Sequence, residues 1–174
     1  MSGYFTIPIS GLKEGRQIYD FDINKEFFDK FEESEVREGD LNAIVEAEKR
    51  STHIVLNIRI LGRVRICCDR CLEMFYFPVE CENRLMVKFG KTSDDSDPDI
   101  LTIPVDEHEL ELNQYFYEFI HLALPIQRVH PDDENGENTC DPDMLEKLKE
   151  HIIFEEENKS DPRWEELKKL MNNN

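Results

Sequence analysis

No stretch of the 174-residue sequence approaches the roughly 20 consecutive apolar residues that a membrane-spanning helix requires. The opening MSGYFTIPISGLKEGRQIYD lacks both the basic start and the unbroken apolar run of a secretory leader, so the expectation is a cytoplasmic protein. Basic residues are scarce: 21 Lys and Arg stand against 39 Asp and Glu, a formal net charge of −18. That balance repels nucleic acid at long range, which argues against non-specific RNA binding and favours a basic protein as partner. Phosphate-cradling glycine loops, a GxSxG nucleophile turn and an HExxH zinc motif are missing as well. Nothing in the pattern asks for an enzyme or a small-molecule substrate.

What remains is an acidic chain with 39% apolar residues, enough for one core and little more. We expect a single domain over residues 1–170 and a disordered tail over 171–174. The charge is uneven. Lys49, Arg50, Arg59, Arg63, Arg65 and Arg70 crowd one region, whereas acids crowd Asp94 to Asp99, Asp132 to Glu137 and Glu155 to Glu157.

Alternation is clearest from His53 to Cys68. Ile54, Leu56, Ile58, Ile60, Val64 and Ile66 share one face; His53, Asn57, Arg59, Arg63 and Arg65 share the other, as in a long antiparallel strand or a hairpin. Gly62 inside that run predicts a bulge or bend, and an inserted residue there would reverse the phase after it. Further strands are expected around Phe5–Ile9, Ala43–Ala47, Phe75–Val79 and Leu85–Phe89. A short helix fits Asn24 to Phe31, and the polar stretch Gly90 to Asp99 reads as a loop. Helical spacing is strongest from Leu112 to Leu124, with Asn113 as N-cap and Pro125 as stop. Two more helices are expected over Asp143 to Phe154 and Asp161 to Leu170. The fold class is α+β: an antiparallel sheet, which could curl into a barrel, with two or three C-terminal helices.

Five cysteines in a reducing compartment read as metal ligands or buried thiols rather than disulfides. Cys68-Asp69-Arg70-Cys71 has the two-residue gap that lets two thiolates of one turn reach a single tetrahedral ion. Half a site needs two further ligands, and His130 and Cys140 stand together in a later polar loop, so the candidate structural zinc set is Cys68, Cys71, His130 and Cys140. Cys67 competes with Cys68 for its place. The plainer reading makes Cys67 and Cys68 small apolar residues at a strand end and leaves His130 and Cys140 as loop residues. A redox CxxC would want a βαβ setting that is lacking here. Cys81 reads as a core thiol, and Glu107, His108, Glu109 and Glu111 as solvated surface.

Three segments together resemble one family. Cys68-Asp69-Arg70-Cys71-Leu72 is similar to the C-x-R-C-L signature of the YceD-like large ribosomal RNA subunit accumulation proteins; Phe119 to Pro125 resembles their helix ending in L-A-L-P; and Asp161-Pro162-Arg163-Trp164 with Leu167 and Leu170 resembles their terminal helix. The resemblance runs over roughly residues 60 to 170. It implies a non-enzymatic role in accumulation of the 23S ribosomal RNA, with no activity carried over. It also implies a His or Cys and then a Cys a few residues later, matching His130 and Cys140; this sequence departs by inserting the acids Asp132 to Glu137 between them. The expected partners are a basic ribosomal protein or a precursor large subunit, with Arg59, Arg63, Arg65 and Arg70 as the face able to meet RNA phosphate or a partner. Alternation alone also yields such a face as the wet side of a strand. The competing function is a zinc-stabilised protein-interaction module unrelated to ribosomes.

Overall fold

The computed structural model describes residues 5–9, 11–90 and 99–151. In chain order the elements are β1 (Thr6–Pro8), β2 (Gly15–Ile23), α1 (Lys25–Phe28), β3 (Glu38–Lys49), β4 (His53–Cys67), β5 (Met74–Phe89), β6 (Ile100–Ile103), β7 (Glu109–Glu111), α2 (Asn113–Leu122) and α3 (Pro142–His151). The expected helix over Asp161 to Leu170 and the tail 171–174 lie outside the described residues, as does most of the expected loop after Gly90.

Five strands form one sheet in the order β2-β3-β4-β5-β6, and β1 pairs with β7 in a separate antiparallel ribbon. Period-2 alternation explains the main sheet. Leu41, Ala43, Val45 and Ala47 of β3, Ile54, Leu56, Ile58, Ile60, Val64 and Ile66 of β4, and Val79, Leu85 and Val87 of β5 are buried on one face. Phe27 and Phe28 of α1, Phe116 and Ile120 of α2, and Phe5 beside β1 complete this single apolar cluster. The Phe5 ring meets Phe27 edge-on at 5.0 Å and Phe116 at 5.9 Å, tying the N-terminal segment to both helices.

The structure corrects several expectations. The sheet does not close into a barrel: β2 and β6 are not hydrogen-bonded to each other, and four-residue β6 covers only Met86 to Phe89 of β5. Nor is the sheet wholly antiparallel, because β6 runs parallel to β5. The apolar patterns around Phe77 and Val87 belong to one 16-residue strand rather than two. Pro78 is tolerated there because that part of β5 has a strand on one side only. Asn113 is the first residue of α2 rather than its cap; Leu112 holds the cap position without a side-chain bond, while Asn113 Nδ2 donates to Glu111 and its buried Oδ1 has no partner. The shorter α1 does receive its cap, Asn24 Oδ1 accepting from Glu26 N at 2.9 Å.

Gly62 makes no bulge. Pairing of β4 runs without a slip from His53↔Lys88 to Cys67↔Met74, and even-numbered positions stay inward on both sides of the glycine. The reason for glycine is proximity: φ is +149°, and a Cβ would lie 2.2 Å from the carbonyl oxygen of Asp40 and 2.6 Å from Leu41 Cα. Gly62→Ala is therefore expected to destabilise the domain by about 2–4 kcal/mol, since strand backbone rather than a flexible side chain must give way. Urea unfolding followed by circular dichroism measures this; an unchanged midpoint would contradict the close approach.

Candidate metal centre

The turn between β4 and β5 holds the first half of the site. Cys67 is the last residue of β4 and points outward, its Sγ 3.3 Å from the Leu72 carbonyl. Strand alternation turns Cys68 inward and settles the competition between the two. Cys68 N donates to Glu73 O at 2.9 Å and Leu72 N to Cys68 O at 3.0 Å, closing a tight knuckle that brings Cys71 back beside Cys68. The knuckle forces Leu72 into the left-handed region at φ 62°, which costs a non-glycine residue roughly 1–2 kcal/mol, and leaves its side chain 65% exposed.

The second half arrives from the chain after α2. A pair of bonds clamps it to the knuckle: Asp69 N donates to Arg128 O, and Arg128 N donates to Asp69 Oδ2, both at 2.7 Å. His130 comes two residues later, its ring against Phe75 at 4.6 Å. The acidic insertion then folds back on itself. Asp132 bridges Asn138, Asp133 N donates to Glu137 O at 2.8 Å, Gly136 takes φ +80°, and Thr139 Oγ1 donates to Pro131 O at 2.7 Å. Backbone N–H groups of Glu137, Asn135 and Gly136 and the Asn135 side chain, aimed at the Asp133 carboxylate, hold it below its usual range. The four acids of this insertion are thus looped out, and Cys140 returns next to His130.

Cys68, Cys71, His130 and Cys140 each offer one ligand atom, all within 4.8 Å of one another. This is the one such group among the described residues. Cys68 and Cys140 Sγ are 3.7 Å apart, and His130 Nδ1 lies 3.4 Å from Cys71 Sγ and 3.5 Å from Cys140 Sγ. Sulfur at about 2.3 Å and nitrogen at about 2.0 Å from a tetrahedral ion would stand about 3.8 Å (S to S) and about 3.5 Å (S to N) apart. The separations fit that geometry and are too long for a disulfide. The three cysteines are buried, with Met144 and Leu145 of α3 and Phe75 packed around them.

Electrostatics point the same way. Burial pushes the Cys68 thiol up, but the backbone N–H groups of Cys71, Arg70 and His130 and the Cys71 side chain outweigh it and bring Cys68 down to about 6. Burial and then the neighbouring Cys68 and Cys71 sulfurs push Cys140 up to about 11. One negative charge forms readily and the next is resisted, the condition that a bound cation relieves.

The other sequence candidates are spread over the sheet surface. Arg59, Arg63 and Arg65 share the outer face of β4, and Arg70 stands exposed in the knuckle. Arg59 pairs with Glu80 at 2.9 Å and Glu82 at 3.2 Å, Arg65 pairs with Glu38 at 3.0 Å, and Arg63 lies over the Tyr76 ring at 4.8 Å. Two of the four charges are thus matched by neighbouring strands. Glu107, His108, Glu109 and Glu111 are exposed, and Cys81 is half-buried against the core with burial raising its thiol pKa. Sequence reasoning missed Asp69, Arg128 and Phe75 as supports of the site; Asp69, inside the CxxC turn, was the one with a readable signal.

Comparison with known families decides the assignment of the chain. The model of the large ribosomal RNA subunit accumulation protein YceD matches residues 56–171. The chain belongs to the YceD family. No curated protein and no solved structure matches it. The YceD match contains all four converging residues and all four arginines, whereas β1, β2, α1 and β3 precede it and still share the same apolar cluster. No helix among the described residues is long and apolar enough to cross a membrane.

The paired shifts have a pH consequence in the metal-free protein. A folded Cys68 near 6 against an ordinary 9 adds stability that is present above pH 9 and lost as pH falls through 6. A folded Cys140 near 11 adds stability that is present below pH 9 and lost as pH rises through 11. With chelator present, these two thiols are expected to make the urea midpoint rise from pH 6 to 9 and fall beyond it. The Cys68→Ser variant should lose the rising limb, and parallel curves for the two proteins would contradict the assignment.

Proposed function

We propose that this YceD-family chain is a non-enzymatic accessory factor in large ribosomal subunit biogenesis, an adaptor or chaperone for a basic ribosomal protein or a precursor subunit. Membership of the family carries the ribosomal part of the reading. The acidic surface suits it, because a net charge of −18 shields a basic protein and discourages indiscriminate RNA contact. Arg70 and Arg63, for which no acidic partner is found among the described residues, are the better placed of the four arginines for phosphate, with Arg59 and Arg65 available once their pairs open.

Within this reading, Cys68, Cys71, His130 and Cys140 hold a structural zinc ion. Three soft sulfurs and one imidazole suit zinc, and four protein ligands leave no open position for an activated water. Bound zinc would supply a cross-link rather than a reaction. The chain's own residues hold the strap in register through Asp69 and Arg128, and Phe75 fixes the His130 ring.

Elemental analysis of the purified protein should find about one zinc per chain. Cys71→Ser and Cys140→Ser should lose it and lower the melting temperature, while Cys67→Ser and Cys81→Ser keep it; zinc retained by Cys140→Ser would remove that residue from the set. For the cellular role, the tagged protein from growing cells should co-sediment with precursor large subunits in a sucrose gradient. Confinement to the top of the gradient in every growth condition, with only non-ribosomal proteins bound, would favour an interaction module unrelated to ribosomes.

A further inference from the structure

Among the described residues, two long strand edges of the main sheet have no neighbouring strand, and they differ. On β5, the open stretch from Met74 to Leu85 carries Pro78, a residue that cannot donate to an added strand. On β2, nine residues from Gly15 to Ile23 contain no proline, and among the described residues no backbone bond reaches the side facing away from β3. An unguarded edge of this length is a template for another strand.

Its chemistry selects the visitor. The outer face of β2 presents Arg16, Ile18, Asp20 and Asp22, and Ile18 is 71% exposed. Arg16 is taken up by Glu46 at 3.3 Å. Asp20, Asp22 and the adjacent Asp40 of β3 form no ion pair with any described residue; Asp20 Oδ1 accepts only from Asn42 Nδ2. The edge therefore offers backbone hydrogen bonds, one apolar anchor and two carboxylates two residues apart on the same face. Aspartates on an edge also discourage pairing between identical acidic chains.

We propose that the free edge of β2 is a strand-addition site for a lysine- or arginine-rich extended segment of a partner protein. Backbone bonds give the affinity, basic side chains at alternate positions meet Asp20 and Asp22, and the aliphatic stem of the next basic side chain in that row lies over Ile18. The inference rests on the adaptor reading and deepens it by locating where a basic partner is held. A second copy of the chain is the less suitable occupant, since two copies each at −18 would have to approach closely.

The test uses the full chain with its metal and a fluorescent peptide of about eight alternating lysines and valines. Two further versions carry N-methyl groups on the lysine amides only or on the valine amides only, so that each blocks one edge of the added strand. Saturable binding is expected, lost with one methylated version and kept with the other. Asp20→Lys with Asp22→Lys, and separately Ile18→Lys, should weaken it about tenfold or more, while the charge-matched pair Glu107→Lys with Glu134→Lys leaves it within a factor of about two. Absence of binding, equal binding of both methylated peptides, or equal loss in the control pair would overturn strand addition. A concentration-dependent dimer that Ile18→Lys abolishes would also overturn it, by giving the edge to a second copy. Because the peptide assay needs only purified protein, its failure leaves co-sedimentation with precursor subunits standing. Failure of co-sedimentation with peptide binding intact would instead remove the ribosomal role alone.

Discussion

The unslipped pairing of β4 with β5 is the constraint on which the rest depends. Side chains alternate with a period of two, so a shift of one residue would turn the whole inward row from Ile54 to Ile66 to solvent. It would also exchange Cys67 for Cys68 at the start of the knuckle. Gly62 protects that register at mid-strand by admitting a backbone approach that no side chain permits. The position of the metal-like cluster is thus set by the same alternation that builds the core.

The cluster in turn organises the chain beyond α2. No residue of α3 is buried, and Met144 and Leu145 pack against the cysteines rather than against the main apolar cluster. Among the described residues, the clamp between Asp69 and Arg128, the convergence of four ligand atoms and the Phe75 ring link this part of the chain to the sheet. A helix with so little apolar burial has little packing to hold it, and a metal bound by the four converging residues would supply a tie.

Charge is distributed to the same effect. Carboxylates from β3 and β5 match Arg59 and Arg65 of β4, while Asp20 and Asp22 make the outer face acidic at the β2 edge. A surface of this kind presents no long positive stripe. The exposed Leu72, held at a strained backbone angle beside Arg70, adds an apolar point at the knuckle end of the molecule.

Much of this was legible in one dimension. The two faces of β4, the helix after Leu112, the CxxC half-site and the net charge all arise from local period, turn chemistry and residue count, which need no knowledge of distant contacts. The continuity of β5 across Pro78, the β1–β7 ribbon, the parallel β6 and the absence of a bulge at Gly62 were not legible, because each depends on which strand lies alongside. The second half of the site was legible as His130 and Cys140, but their convergence on the first two cysteines was not. His130 and Cys140 lie 59 and 72 positions from the cysteines they approach, and the acids between them obscure the spacing in sequence but fold away in space. Residue types and periods were therefore determined by the sequence itself; convergence and edge exposure were decided by the tertiary structure, because only strand pairing and loop closure bring remote residues within bonding distance.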